Sequence, residues 1–289
     1  MEYRDFVKKN DGQVLALRRE GTLPLLYYPL LEGTKVVQHA FTTREGGVSR
    51  GIYESLNLSF TRGDEESAVM ENYRRVADSF HTTVENMVCS DQTHTTNVLR
   101  VDKSYGGCGV TRPKPYGDVD GLITDEPGLI LATFYADCVP LFFVDPKHRA
   151  IGLSHSGWRG TVGRMGAVTL EKMCEEFGTD PGEVYAAVGP SICQDCYEVG
   201  AEVADAFYRE FPGHEGEILL DKGKGKYWLD LWKCNELILL EAGVKEEKLA
   251  VTNICTCCNP GLLFSHRASH GKRGNLGAFL MLREEKESD

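Results

Sequence analysis

Three apolar runs standing close together constrain this chain more than any other feature. Residues 129–136 (LILATFYA), 140–144 (PLFFV) and 150–154 (AIGLS) are dense in branched and aromatic side chains and bounded by Gly, Pro or Asp. Runs of that length and make-up predict three consecutive buried strands rather than helices. Asp137 and Pro140 interrupt the stretch from Leu129 to Val144, which leaves it too short to cross a bilayer. The chain is therefore organised around a buried sheet core.

The flanking sequence supplies both strands and helices. Residues 14–31 read as a hairpin turning at Glu20-Gly21, within an N-terminal hairpin region 1–35, and Val36 to Thr43 reads as a strand. A helix opens at Asp64 with Val69, Tyr73, Val76, Ala77 and Phe80 on one face. Strands are expected at Met87–Ser90, Asn97–Val101, Val184–Val188, Leu249–Ile254 and Ala278–Leu282. Helices are expected from Gly160 to Phe177 (apolar face Leu170, Met173, Cys174, Phe177), from Val199 to Phe211 and from Asp230 to Ala242. Strands and helices mix without βαβ alternation, which predicts an α+β fold with mixed sheets. No repeat or low-complexity linker divides the chain, so a single domain over 1–289 is expected, with 284–289 as a frayed tail.

A net charge of -11 argues against nucleic acid or an anionic membrane as the main partner. The N-terminus, MEYRDFVKKNDGQ, has no apolar core of signal-peptide length, which implies a cytoplasmic protein. In that compartment ten cysteines are free thiols or metal ligands rather than a disulfide framework.

Chemistry concentrates at His94, Cys138 and His155, in QTH, ADCVP and SHSGWRG, each reading as a loop at a strand end. Two imidazoles and a thiolate suit zinc, and three protein ligands leave one position open for water or substrate. Pro140 forbids a helix beside Cys138, so its thiol can leave the sheet. Gly157 to Gly160 lead into a helix start, where free N–H groups favour an anion and Arg159 adds charge. The same Cys138 and His155 also suit the nucleophile and base of a metal-free hydrolase. A copper oxidase of phenols is a poor reading, because the eight histidines include no H-x-H pair. A non-enzymatic partner protein, in which these loops merely pack, is the remaining alternative.

Several motifs in one order carry a resemblance: FTTREGGVS (41–49), SLNLS (55–59), QTH (92–94), DGLIT (120–124), ADCVPLFFVD (136–145), HSGWRG (155–160), GPSI (189–192), YEVG (197–200), CT (255–256) and FSHR (264–267). The chain resembles the YfiH/YlmD-type family, long labelled polyphenol oxidase or multicopper laccase and now regarded as purine nucleoside phosphorylases. The resemblance implies a sandwich of mixed sheets covered by helices, and zinc, with copper possible, on His94, Cys138 and His155. It implies phosphorolysis of adenosine and inosine, cleavage of methylthioadenosine, and deamination of adenosine, with purine nucleoside and phosphate as the small-molecule partners. Arg44 and Asn57 match family positions near the pocket, which makes them substrate or phosphate contacts, and Arg44 with Arg159 would supply cations for the attacking phosphate. Departures are Thr95 for the family's Gly, Ser156 for Ala, and Asn275 for an Arg.

Two signals are read against function. Cys193-Gln-Asp-Cys196 and Cys255-Thr-Cys257-Cys258 lie far apart and read as free thiols or a labile disulfide rather than a second zinc site. Residues 106–109 and the lysine run 222–226 read as mobile loops, the lysine run as a solvated turn.

Overall fold

Side chains that alternate between two cores explain the continuous apolar runs. The computed structural model describes residues 5–285. Its first sheet has the order β1 (Ala16–Glu20), β2 (Leu23–Tyr27), β3 (Val37–Thr42), β15 (Leu276–Leu282), β7 (Ile130–Tyr135), β4 (Met87–Cys89). The second runs β14 (Leu249–Val251), β10 (Tyr185–Val188), β8 (Val139–Asp145), β9 (Ala150–Ser156), β6 (Gly121–Thr124), β5 (Val98–Arg100). Both are mixed, since β4 pairs parallel with β7, β5 with β6, and β10 with β14, while their other pairs are antiparallel.

The two sheets face each other. Phe41, Leu131 and Leu280 from the first interleave with Phe142, Val144 and Leu153 from the second. The outer face of the first sheet, with Ile130, Phe279 and Met281, packs on Val69, Tyr73 and Val76 of α2 (Glu66–Ser79). The outer face of the second, with Leu141, Phe143 and Val188, packs on α4 (Met165–Phe177) and α7 (Leu231–Glu241). Strand β8 thus sends Phe142 and Val144 inward and Leu141 and Phe143 outward, into apolar surroundings on both sides. The expected α+β sandwich of mixed sheets covered by helices is the observed fold.

The hairpin turns at Gly21, in the left-handed region at φ 58°, as its sequence requires. Short helices α1 (Pro29–Glu32), α3 (Trp158–Val162) and α6 (Glu215–Ile218) and the longer α5 (Ala201–Glu210) complete the chain. Three expectations need correction. The helix drawn from Gly160 to Phe177 is two, α3 and α4, broken where Arg164 adopts φ 56° and ion-pairs with Glu210 and Glu241. The helix drawn from Val199 starts at Ala201, because Glu198–Gly200 forms β11 of a third sheet with β13 (Lys226–Leu229) and β12 (Leu219–Gly223). The lysine run, by contrast, is the expected solvated turn, joining β12 to β13. Residues 106–109 are tied to the core, since Gly107 donates to the Met87 carbonyl and Cys108 is fully buried. Residues 286–289 of the expected frayed tail lie outside the described residues. Among the described residues no helix is long and apolar enough to cross a membrane.

Candidate metal centre

Two of the three candidate ligands lie where the chain crosses between the sheets. His94 sits on the segment from β4 to β5, and Cys138 on the turn from β7 to β8. His155 is near the end of β9, its register partner being Pro140. Both crossings are sharp: His94 has φ 67° and Asp137 has φ 90°. Polar contacts hold these backbones. Gln92 accepts from the Phe134 amide and donates to the Phe134 carbonyl, docking the first crossing on the end of β7. Asp137 accepts from the Thr256 hydroxyl and the Arg267 amide, both at 2.7 Å, while its carbonyl accepts from the Ile192 amide.

The three side chains converge. Their donor atoms all lie within 4.8 Å of one another, with Cys138 Sγ 4.0 Å from His94 Nε2. Gly157 makes this possible: a Cβ there would stand 3.0 Å from the His94 ring and 3.1 Å from Cys138 Sγ. Asp120 orients the set. Its buried carboxylate accepts the amides of Thr93, His94 and Thr95 at 3.0–3.2 Å and lies 2.7 Å from His155 Nδ1. With Nδ1–H directed at Asp120, His155 turns Nε2 toward Cys138 and His94, the carboxylate–imidazole arrangement common behind bound metals.

The electrostatics favour a cation among these donors. Burial pushes the Cys138 thiol up, but His155 and then His94 outweigh it and bring it down to about 6. Burial lowers His155, yet the Cys138 thiolate and the Asp120 hydrogen bond carry it up to about 9. Burial would likewise raise Asp120, and the His155 hydrogen bond and charge hold it below the usual carboxylate range. A thiolate facing a proton shared with imidazole is the state from which a divalent ion displaces that proton. The donors thus fit a metal ion, with three protein ligands and an open side.

That open side is a cavity of about 430 Å³, within the range of small-molecule sites. Phe60 and Tyr73 stack at 5.3 Å in its wall, and Phe134 meets Tyr73 edge-on. Arg62, Lys114 and Arg273 supply cations. Lys114 is paired with Asp91, whereas neither arginine forms an ion pair among the described residues. Arg273 is 9 % exposed and its buried Nε has no partner. Burial, reinforced by Arg62, draws its guanidinium down to about 10.

The other residues singled out from sequence lie apart from this wall. Arg44 donates to the carbonyls of Glu54 and Pro260 and covers the Phe264 ring at 4.5 Å. Asn57 is fully buried, bonded to Asp64, Ser59 and the Asn275 amide, and so braces segments that line the cavity. Arg159 is exposed, stacked on Trp158 at 4.2 Å, and the helix it starts is a single short turn. The structure thus brings together His94, Cys138 and His155 but not Arg44, Asn57 or Arg159. Asp120, Arg62 and Arg273 were missed; only Asp120 carried a signal, as the first residue of the DGLIT motif.

A family model described as multi-copper polyphenol oxidoreductase laccase matches residues 38–283. The chain belongs to this family, the YfiH/YlmD proteins. Its relatives include the purine nucleoside phosphorylase YlmD of Bacillus subtilis (strain 168), 37% identical over 88% of this chain and 91% of that protein. Adenosine deaminase RL5, from an unknown prokaryotic organism, is 33% identical over 79% of this chain and 87% of its own length. The crystal structure of YlmD from Geobacillus stearothermophilus matches with a TM-score of 0.87 and 35% identity, covering 93% of this chain and 99% of that one.

Proposed function

We propose that this YfiH/YlmD protein is a zinc-dependent purine nucleoside phosphorylase. It cleaves adenosine, inosine and methylthioadenosine with phosphate to the free base and the sugar 1-phosphate, and deaminates adenosine as a side activity. The observation that carries this reading is a His–Cys–His donor set opening onto a cavity whose wall holds two arginines without carboxylate partners among the described residues. Relatives named for both activities support it.

Phosphorolysis attacks the anomeric carbon as the base departs, through a sugar with oxocarbenium character. Arg62 and Arg273 bind the phosphate, the partnerless Nε of Arg273 donating to one of its oxygens. Phe60 and Phe134 offer apolar faces to the purine. Asp120 fixes the His155 tautomer, holding the proton on Nδ1. His94, Cys138 and His155 would hold the zinc, which when bound would supply Lewis-acid charge beside the cavity. Zinc suits the set because two imidazoles and one thiolate with one open position are a common catalytic zinc arrangement.

A second reading draws on Asp120, His155 and Cys138, which have the layout of a hydrolase triad. It leaves His94 without a role. One experiment separates the two: purified protein with adenosine or inosine, with and without phosphate, before and after chelation. Sugar 1-phosphate forming only with phosphate, and lost on chelation, is expected. An Arg273→Ala variant should raise the phosphate KM about 10- to 100-fold, the loss of one charge-assisted hydrogen bond. Full activity in Cys138→Ala would sink the metal reading. Activity that survives chelation but not thiol alkylation would install the hydrolase instead.

A further inference from the structure

Four cysteines outside the cavity are brought together by strand pairing. Strands β10 and β14 lie side by side and parallel, Val188 opposite Val251. The segments leaving their ends therefore run on together, joined by a parallel bridge between Ser191 and Cys255 and by the Thr256 amide donating to the Ser191 carbonyl. Each segment carries a C-x-x-C pair, Cys193 with Cys196 and Cys255 with Cys258. In sequence the pairs are remote, and Cys257 disguises the second. In space their four sulfurs all lie within 4.8 Å of one another.

The spacing discriminates among the things four cysteines can do. Cys193 Sγ lies 4.0 Å and Cys196 Sγ 3.5 Å from Cys258 Sγ, and all four thiols are unbridged. A disulfide needs a separation near 2.05 Å, which these pairs do not approach. Four sulfurs around one zinc at about 2.3 Å sit about 3.8 Å apart along the edges of the tetrahedron. The observed separations straddle that value. An iron–sulfur cube, whose ligands sit on separate irons, needs a wider spread.

The surroundings also suit bound thiolates. The amides of Cys193 and Cys258 donate to Cys255 Sγ at 3.3 and 3.4 Å, a contact that favours the charged sulfur. The Lys9 ammonium, paired with Asp195 at 2.7 Å, stands within reach of Cys193 and Cys258 and offsets part of their charge. Cys193 and Cys255 are buried and the other two half-buried, so the cluster is closed by protein.

We infer that Cys193, Cys196, Cys255 and Cys258 bind one zinc ion as a closed tetrathiolate site, separate from the His94–Cys138–His155 centre. Four protein ligands leave no position for substrate, so the role is structural. The braced segments are those that hold Asp137, through the Ile192 amide on its carbonyl and the Thr256 hydroxyl on its carboxylate. The site therefore steadies the turn that presents Cys138.

Metal analysis of the full chain, purified under reducing conditions and supplied with zinc, tests this. Wild type is expected to hold two zinc equivalents. Cys138→Ala removes only the first, and the paired substitution Cys196→Ser with Cys258→Ser removes only the second. Cobalt-substituted Cys138→Ala protein should show the intense red absorption and sulfur-to-cobalt charge-transfer bands of a tetrahedral tetrathiolate. Because that variant leaves the four cysteines untouched, the test survives a misfolded serine variant. If wild type holds a single zinc that Cys138→Ala retains, the proposal stands and the His–Cys–His centre fails. A Cys138→Ala protein that takes up neither zinc nor cobalt overturns the proposal, as does mass-spectrometric detection of disulfides within the cluster of freshly reduced protein.

Discussion

Asp120 does not line the cavity, yet the ligand set depends on it. One carboxylate satisfies three successive amides of the left-handed His94 crossing and the Nδ1–H of His155. Asp120→Asn keeps the volume but turns an N–H₂ toward donors in either amide orientation. Metal affinity should fall about 10- to 100-fold, the usual cost of losing such a partner. Competition against a chelator of known affinity reads this directly, and binding equal to wild type would remove Asp120 from the account. At this scale sequence reading reached the three side chains that converge and little else. His94, Cys138 and His155 stand in recognisable motifs, whereas Arg62 and Arg273 enter the cavity through loops whose paths no local pattern encodes.

Elements were legible where apolar patterning was strong. Strands β7, β8 and β9 are buried on both faces and stand out as continuous runs. The third sheet was hidden because β12, LLDKG, exposes four of its five residues and has too little apolar alternation to betray it. The break between α3 and α4 was equally silent, since Arg164 takes a left-handed conformation that its residue type does not announce. His81 is a similar case with a testable consequence. It follows the last turn of α2 at φ 57°, exposed, while the Thr82 amide closes the helix on the Ala77 carbonyl. Glycine holds that position without strain. His81→Gly should therefore stabilise the protein by about 0.5–1 kcal/mol, or about 1–3 °C in a chain of this size. Thermal unfolding of the two proteins side by side measures it, and a lower midpoint would mean that the His81 side chain contributes something the geometry does not show.

At the scale of the whole molecule, the two sheets are pinned together near His39 and Tyr28. The Tyr28 hydroxyl, on the first sheet's side, donates to the Val188 carbonyl of β10 across the core, and its amide donates to His39 Nε2. His39 is 1 % exposed among Tyr27, Tyr28 and Phe142, with Nδ1 unpartnered. Burial, aided by Arg18 and Arg283, drives it down to about 3 from an ordinary value near 6.5. The sign follows from proton counting. Above pH 6.5 neither state binds the proton and stability is unaffected. Below it only the unfolded chain does, so stability falls by about 1.4 kcal/mol per pH unit until the folded value is reached. His39→Gln keeps an acceptor for the Tyr28 amide and should lose about 1–2 kcal/mol less than wild type between pH 6.5 and 5. Urea unfolding at the two pH values gives the comparison, and equal losses would rule His39 out as the acid-sensitive group.

The crossings that carry His94 and Cys138, set against His155 on β9, make the ligand cage a composite of both sheets. An ion held there binds the docked sandwich and has no equivalent purchase on separated halves. Bound there, it would act as a clasp, adding about 2.7 kcal/mol to the cost of parting the sheets when free metal stands at a hundred times its dissociation constant. The converse also holds. A sandwich that gapes at this edge would release such an ion while its strands could still be paired, so loss of metal would report the parting of the two layers separately from the melting of either sheet.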